Sequence, residues 1–293
     1  MEGVINVFKE ASWSSGDVVN KLKGVLHERR IGHGGTLDPD ATGVLPILTG
    51  RATRLFDYVT AFKKTYVARV RFGEITDTED GSGTILERRD VNITNADILK
   101  ALPHFSGKIM QKPPMYSALH VNGERLYDLA RRGETADIPP REINIYSITL
   151  TEELNENECS LRITCGKGTY IRTICHDLGE FLGCGAHMKT LLREECAGLN
   201  VKNAYKISEL EEMMKNGDLS FLKPTEAAIE YMPRINVSSV VFKKLENGNP
   251  VDVKYADKVV DGFVRIYSDS VFFGIGEQKN GAYYIKCMLG GTK

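Results

Sequence analysis

The chain has 293 residues, of which 42% are hydrophobic and 26% are charged, and its formal net charge at pH 7 is −1. This length allows one large domain or two domains with a sizeable core. The balanced charge excludes a protein that is basic throughout, so RNA binding would require basic groups gathered on one face. The candidate groups are Arg29-Arg30, Lys63-Lys64, Arg69 with Arg71, and Arg131-Arg132.

The six cysteines do not form a Cys-x-x-Cys pair, so the sequence signals no zinc site and no thioredoxin-like site. Reduced, buried thiols in a cytoplasmic protein fit this pattern. The N-terminus lacks the features of a signal peptide, and no stretch approaches the ~20 apolar residues that cross a membrane. We therefore expect no membrane partner.

The first predicted elements are a strand at residues 4–8 and a helix that Ser14 or Ser15 caps, with Asp17 three residues after Ser14. A short apolar segment follows at residues 44–48. The partly alternating residues 66–72 indicate a strand. Further along, Thr94 and Asp97 predict a second capped helix, which Pro103 would end.

Two strands are predicted at residues 143–150 and 159–164, with an acidic hairpin loop at residues 152–158. Thr169 is then expected to cap a helix, which places Tyr170 and Arg172 on its first turn. Because strands and helices do not alternate regularly, the fold class is α+β, with a mixed, mainly antiparallel sheet.

The pattern changes after Pro233, where short apolar segments at residues 263–267, 271–275 and 283–286 are separated by Asp, Gly and Asn turns. These segments indicate a small all-β unit. We therefore predict two domains, at residues 1–232 and 233–293.

The most informative segment is a glycine-rich loop, residues 32–46, that carries one carboxylate. Pro39 directs the preceding Asp38 away from helical geometry. Gly34, Gly35 and Gly43 permit backbone angles and close approaches that other residues resist. An acid held on a tight loop beside open backbone is a candidate nucleophile.

This loop resembles the catalytic motif G-H-x-G-x-L-D-P-x-A-x-G-x-L of the TruB family of pseudouridine synthases. Four other segments are similar to that family's further motifs, and the match runs in the family's order over residues 3–198. These segments are Lys64-Thr65-Tyr66, residues 112–118 with Gly123 and Tyr127, residues 166–173, and residues 185–188 leading to Leu191.

The resemblance implies a pseudouridine synthase fold, with helices flanking the sheet, and a PUA-like RNA-binding domain at the C-terminus. It implies isomerisation of the uridine at tRNA position 55, in the T-loop of the T-arm. The family acts without a metal or organic cofactor. The protein is expected to be a monomer that acts on tRNA alone. A related branch acts within guide-RNA particles, and the compact core and short tail argue against that branch.

The resemblance also implies three catalytic residues. Asp38 would attack either C1′ of the ribose or C6 of the uracil, and both routes stay open. Arg172 would pair with Asp38 by bidentate bonding and keep it ionised, since an opposite charge lowers a carboxyl pKa by roughly 1–3 units. Tyr66 would stack on the uracil and help to remove the C5 proton.

The implied substrate-binding set surrounds these residues. His33 would occupy the place that the everted base leaves, Tyr170 would close the pocket, and Leu191 would form an apolar wall. The set also includes Lys64 and Gly35. Everting the base costs a few kcal/mol, which these contacts must offset.

The sequence departs from the family at two places. Residues 9–13 lack the proline and glycine of the usual K-P-x-G motif, which puts a phosphate contact from Lys9 in doubt. Glu194 and Glu195 stand where relatives often carry Arg or Thr, which would weaken local RNA binding.

Two other functions are consistent with parts of this pattern. A non-catalytic protein that binds or folds tRNA would not need the Asp38, Tyr66 and Arg172 set. A glycoside or nucleoside hydrolase would need two carboxylates, and Asp40 is the one nearest in sequence to Asp38.

Overall fold

The computed structural model describes residues 1–117, 119–121 and 123–290. Ala118, at the end of the 112–118 motif, and residues 291–293, at the end of the predicted C-terminal domain, lie outside the described residues. The strands before Pro233 are β1 (Gly3–Lys9), β2 (Ile31–His33), β3 (Thr42–Thr49), β4 (Lys64–Phe72), β5 (Glu74–Thr76), β6 (Ile85–Arg88), β7 (Gly107–Gln111), β8 (His120–Val121), β9 (Glu124–Arg125), β10 (Arg141–Asn155), β11 (Glu158–Cys165), β12 (Ala186–Cys196), β13 (Leu199–Asn200) and β14 (Leu222–Lys223).

The helices flank this part of the chain, and the last of them lies in the C-terminal unit. In chain order they are α1 (Ser15–Leu26), α2 (Phe56–Ala61), α3 (Asn95–Ala101), α4 (Leu126–Arg131), α5 (Ile171–Phe181), α6 (Ile207–Lys215) and α7 (Ser239–Glu246). The predicted capping boxes are present at Ser14 with Asp17 and at Thr94 with Asp97. Pro103 lies in a short 3-10 turn that directly follows α3.

Most strands before Pro233 form one large sheet in the order β14-β1-β3-β12-β4-β11-β10-β7, with β2 beside β3 and β13 beside β12. The pairing of β12 with β3 is parallel, and the other pairings in this sheet are antiparallel. The predicted mixed, mainly antiparallel sheet is therefore confirmed. Because β12 pairs with β3 and β4, and β4 pairs with β11, the centre of the sheet brings early, middle and late parts of the chain side by side.

Two local predictions were wrong. The acidic residues 152–158 are not a hairpin loop, because β10 continues to Asn155 and the chain reverses at Glu156 and Asn157, which both have positive φ. Thr169 does not cap α5, since its hydroxyl donates to the Gly166 carbonyl. The N-cap residue is Tyr170, and no side chain of its own closes that helix end.

The C-terminal unit contains a separate five-stranded sheet, and three of its strands correspond to the predicted segments; the other two strands and α7, which packs with the apolar core, were not predicted. Its strands are β15 (Arg234–Asn236), β16 (Val251–Asp252), β17 (Gly262–Ser268), β18 (Val271–Lys279) and β19 (Ala282–Met288). Ile275, Cys287 and Leu289 join an apolar cluster with residues of β1 and β3, so the unit contacts the large sheet. In the described ranges, no helix is long and apolar enough to span a membrane.

Candidate active site

The loop between β2 and β3 carries Asp38 and is fixed to its surroundings. The Ser15 hydroxyl, on the first turn of α1, both donates to the carbonyl of Leu37 and accepts from its N–H, at 3.1 and 2.9 Å. The Ala41 N–H donates to the Asp38 carbonyl, which closes a turn around Pro39. The residue before Pro39 is therefore held in one position, as the Asp-Pro pair predicted.

Lys9 anchors the same loop from β1. Its side chain is fully buried, and its ammonium donates to the carbonyls of Glu10, Trp13 and Pro39 at 3.0, 2.6 and 2.6 Å. Burial lowers the pKa of Lys9 to about 8. A phosphate contact from Lys9 is thus excluded in this conformation, and the residue stabilises the loop even though the usual proline and glycine are missing.

Arg193 holds the two ends of the loop together. This fully buried residue of β12 donates from Nε to the Val44 carbonyl at 2.7 Å, and from Nη1 and Nη2 to the carbonyls of Thr36 and Gly35 at 3.1 and 3.0 Å. Among the described residues, no carboxylate forms an ion pair with it. Gly43 is required beside it, since Gly43 has φ +108° and a Cβ there would lie 2.3 Å from the Arg193 carbonyl oxygen.

Replacing Arg193 with methionine is expected to lower the free energy of unfolding by about 3 kcal/mol or more, because three buried carbonyls lose their donors at roughly 1–3 kcal/mol each. Urea unfolding followed by circular dichroism measures this change. Arg162→Met on the neighbouring β11 is the control, since its half-exposed ion pair with Glu194 is worth less than about 1 kcal/mol. Equal losses in the two variants would contradict the clamp.

Arg172 lies between two carboxylates. Its Nη2 contacts both oxygens of Asp38, at 3.2 and 3.1 Å, and its Nη1 contacts Oδ2 of Asp80 at 3.3 Å. The guanidinium is 8% exposed, whereas the Asp38 side chain is 40% exposed. The expected ion pair is present, but the bidentate geometry was wrong because the second nitrogen is occupied by Asp80.

The pKa of Asp38 was predicted to fall, and the structure reverses that prediction. Although the Asp38 side chain is partly exposed, the protein around it removes water from the carboxyl, and this desolvation raises the pKa of Asp38 above its ordinary value. The charge of Asp80 adds to the rise. The charge of Arg172 is the largest opposing influence, with smaller contributions from Lys9 and Arg193. Arg172 thus limits the rise and does not produce a net fall.

Asp80 reaches Arg172 from the turn between β5 and β6, and this turn is itself well fixed. Its Oδ1 accepts from the Thr78 hydroxyl and from the hydroxyl and N–H of Ser82, at 2.8, 2.6 and 3.0 Å. The preceding Glu79 accepts from the Thr173 hydroxyl of α5 at 2.5 Å. The turn is therefore tied to the same helix that carries Arg172.

Tyr66 lies on β4 directly opposite Arg193 in the strand register. It is 8% exposed and shares an apolar cluster with Leu37 and Leu191, which is 7% exposed. Burial raises the pKa of the Tyr66 phenol, and the Arg193 charge opposes that rise. The hydroxyl is accordingly protonated in the free protein.

The other predicted binding residues differ in their surroundings. Tyr170 is partly exposed at the start of α5, with the Arg172 guanidinium carbon 6.0 Å from its ring centre. His33 is partly buried on β2, and its Nδ1 has no hydrogen-bond partner among the described residues. Burial and the charge of Arg193 lower the pKa of His33, so its ring is neutral at pH 7.

Lys64 and Gly35 do not present free groups. Lys64 is 8% exposed, and its ammonium donates to the carbonyls of Thr60 and Phe62 at 2.8 and 2.9 Å. Gly35 has φ +126°, and a Cβ there would lie 3.7 Å from Cε of Lys64. These contacts fix the start of β4 against the loop, and the substrate-binding roles of Lys64 and Gly35 stay predictions.

Among the predicted basic groups, Arg29, Arg30 and Lys63 are exposed, Lys64 is buried, and three others contact acids. Arg69 and Arg71 both contact Glu158, and Arg132 contacts Glu124 and Glu134. The side chain of Arg131 lies outside the described residues. Glu194 and Glu195, at the departure from the family pattern, have partners in Arg162 and Asn200 respectively.

Sequence reasoning missed Asp80, Arg193 and the carbonyl contacts of Lys9. Asp80 lies in a T-D-T-E-D-G-S-G segment that has the composition of an exposed turn. Arg193 follows a strand pattern that gives no sign of a buried guanidinium. Among the described residues, no three His, Cys, Asp or Glu side chains are placed to hold a metal ion.

Comparisons with known proteins identify the family of this chain. Residues 23–171 match the model of the TruB family pseudouridylate synthase N-terminal domain. Residues 172–230 match that of the tRNA pseudouridylate synthase B C-terminal domain, and residues 233–284 that of the pseudouridine synthase II TruB C-terminus. These matches cover nearly the whole chain.

Two curated relatives are called tRNA pseudouridine synthase B. That of Lactococcus lactis subsp. cremoris (strain MG1363) is 46% identical over 83% of this chain and 76% of its own length. That of Streptococcus thermophilus (strain CNRZ 1066) is 40% identical over 90% of this chain and 92% of its own length. Among solved structures, a Cbf5-Nop10-Gar1 complex matches 98% of this chain and 84% of its own chain, with TM-score 0.78 and 23% identity, which shows the shared fold.

Proposed function

We propose that this chain, which belongs to the TruB family of pseudouridylate synthases, isomerises the uridine at position 55 in the T-loop of tRNA. We also propose that Asp38 is the nucleophile. The observation that carries the proposal is the half-exposed Asp38, held on a pinned loop against the buried guanidinium of Arg172. A carboxylate so placed is oriented, accessible and paired with a positive charge.

The reaction breaks the N1–C1′ bond of uridine and joins C5 to C1′ after the base rotates. The C5 hydrogen leaves as a proton, N1 gains a proton, and no electrons are exchanged with a second molecule. Asp38 attacks C1′ or C6, and either route requires the ionised carboxylate. This balance needs no redox partner and no transferred group.

We assign the walls of the pocket to Tyr66, Tyr170 and Leu191. A ring face suits a flat base, and stacking on an aromatic side chain stabilises a bound base by about 1–3 kcal/mol. Because the hydroxyl of Tyr66 is protonated in the free protein, we assign it a stacking role before any proton transfer. We assign to the neutral ring of His33 the place that the everted base leaves in the RNA stack.

We further propose that the protein acts on the T-arm as a cytoplasmic monomer without a guide RNA, and that residues 1–232 and 233–293 are separate domains. The separate five-stranded sheet of the C-terminal unit supports this boundary. Asp40, the other carboxylate near Asp38 on this loop, follows Pro39 and is exposed. The loop therefore does not indicate the second catalytic carboxylate that a hydrolase needs.

The assay for this function incubates the purified protein with an unmodified tRNA transcript. Pseudouridine is then mapped by carbodiimide labelling and primer extension, and a stop at position 55 is expected. The rate should be unchanged by EDTA once the tRNA is folded. Binding without a stop would favour a tRNA-folding protein, and release of free uracil would favour a hydrolase.

The pH dependence of the rate should reflect the raised pKa of Asp38. Since only the ionised form attacks, kcat/KM should fall as pH decreases, beginning at a higher pH than an exposed aspartate would give. Asp80 raises that pKa, so Asp80→Asn, in which Arg172 keeps its contact with Asp38, should move the acidic limb to lower pH.

Initial rates across the acidic range test this sign. Asp77→Asn is the matched control, because Asp77 lies on the same turn but is exposed, and its carboxylate accepts from the Thr84 N–H. The acidic limb of Asp77→Asn should lie at the same pH as that of the wild type. A limb that moves to higher pH in Asp80→Asn would contradict the assigned electrostatics.

A further inference from the structure

Gln111 makes a paired contact with the backbone of a single residue in the site. Its side-chain Nε2 donates to the Tyr170 carbonyl, and its Oε1 accepts from the Tyr170 N–H, both at 2.9 Å. The residue ends β7, and only 2% of its surface is exposed. The carboxamide thus matches both polar groups of one backbone position.

This contact lies at the start of α5, where the N-cap residue gives no side-chain bond. Tyr170 is the N-cap residue of α5 and supplies no side-chain bond, and the Thr169 hydroxyl is committed to Gly166. The Tyr170 carbonyl already accepts from the Ile174 N–H at 3.2 Å. The bond from Gln111 to that carbonyl is therefore additional to what the helix needs, and it restricts rotation of the backbone at Tyr170.

The contact also links two parts of the pocket. On one side, Gln111 pairs with Arg141 in β10, so it is fixed at the base of the connection formed by residues 112–140. On the other side, Arg172 follows Tyr170 by two residues and contacts Asp38. A change in the Tyr170 backbone would move a pocket wall and the guanidinium together.

We propose that Gln111 is a positioning residue for pseudouridine formation, since its carboxamide fixes the backbone from which Tyr170 and Arg172 extend toward the Asp38 loop. This inference rests on the proposed function. Gln111 does not need to touch the RNA. Its effect should appear in kcat more than in tRNA affinity, because the geometry at the reacting base changes while the outer contacts with tRNA remain.

The first test is Gln111→Met, which keeps the size of the side chain and removes both hydrogen bonds. We expect kcat to fall by about 10²-fold, as misplacement by about 1 Å can cause, while the Kd for tRNA stays within about threefold. Thermal melting by circular dichroism establishes that the variant is folded. A folded Gln111→Met with the wild-type kcat would overturn the inference.

The second test is Gln111→Glu, which separates positioning from general stability. The ionised carboxylate can accept from the Tyr170 N–H but repels the Tyr170 carbonyl, whereas the protonated acid restores both bonds. Burial raises the pKa of the introduced carboxyl, so protonation should occur within the measurable range. The ratio of the variant rate to the wild-type rate should therefore rise as pH falls.

Protonation of Asp38 lowers the rates of both proteins as pH falls, so dividing one rate by the other removes that effect. Gln278→Glu on β18, in the C-terminal unit, should give a ratio that does not change with pH. A flat ratio for Gln111→Glu would overturn the inference even if Gln111→Met failed to fold. If the wild-type protein formed no pseudouridine, the proposed function would fail first, and the inference with it.

Discussion

Asp38→Asn is expected to reduce the rate of pseudouridine formation by at least about 10³-fold, while the Kd for tRNA changes by less than about threefold. Asparagine has nearly the same shape, so Leu37, Pro39 and Arg193 should continue to fix the loop. What it lacks is the negative charge that attacks the nucleotide. The effect should therefore fall on the chemical step and not on folding or tRNA binding.

Release of tritium from a tRNA transcript labelled at C5 of uridine measures this rate, because the C5 hydrogen is lost as the new bond forms. Asp40→Asn is the control, since Asp40 lies on the same loop but is exposed. We expect its rate to stay within about threefold of the wild type. Comparable losses in the two variants would favour a chemistry that uses both carboxylates.

Arg172→Lys is expected to lower kcat by about 10²-fold, the second largest effect. Lysine keeps the positive charge but offers one nitrogen, whereas Arg172 uses Nη2 for Asp38 and Nη1 for Asp80. One of the two carboxylates should therefore lose its partner. The side chain of Asp38 would keep its loop position but lose its fixed orientation.

Single-turnover rates with saturating enzyme isolate this step from tRNA binding. Arg162→Lys is the control, because that arginine forms a half-exposed ion pair with Glu194 and should tolerate the change. Circular dichroism verifies that both variants are folded. A wild-type rate in Arg172→Lys would rule out the bridging role of the guanidinium.

The sequence predicted features that depend on short segments. The capping boxes at Ser14 and Thr94 need only neighbouring residues, and both are present. Partial alternation predicted β4, and short apolar segments between turn residues predicted three strands of the C-terminal unit. The Asp-Pro turn required only Pro39, and the resemblance supplied the pairing of Asp38 with Arg172 across 134 positions of sequence.

The features that the sequence did not predict depend on long-range contacts. Thr169 has a side chain that can cap a helix, but its hydroxyl donates to the Gly166 carbonyl. Gln111, from another strand, bonds the backbone of Tyr170. Arg193 occurs in a polar segment and is nevertheless fully buried, because the carbonyls that it bonds lie on a loop about 150 residues earlier. Sequence distance conceals such partners.

The pKa of Asp38 also depends on contacts between residues that are distant in the sequence. Pairing with Arg172 predicted a fall, but burial and Asp80 produce a rise. Burial is a property of the assembled pocket and cannot be read from the loop alone. Asp80 contributes from a turn whose composition is typical of solvent-exposed segments.

The most direct measurement compares the wild-type protein with Asp38→Asn on one unmodified tRNA transcript, by primer extension after carbodiimide treatment. Our account predicts a strong stop at position 55 with the wild type, and none with the variant even though it binds the same RNA. Equal stops at position 55 with both proteins would contradict the assignment of the nucleophile.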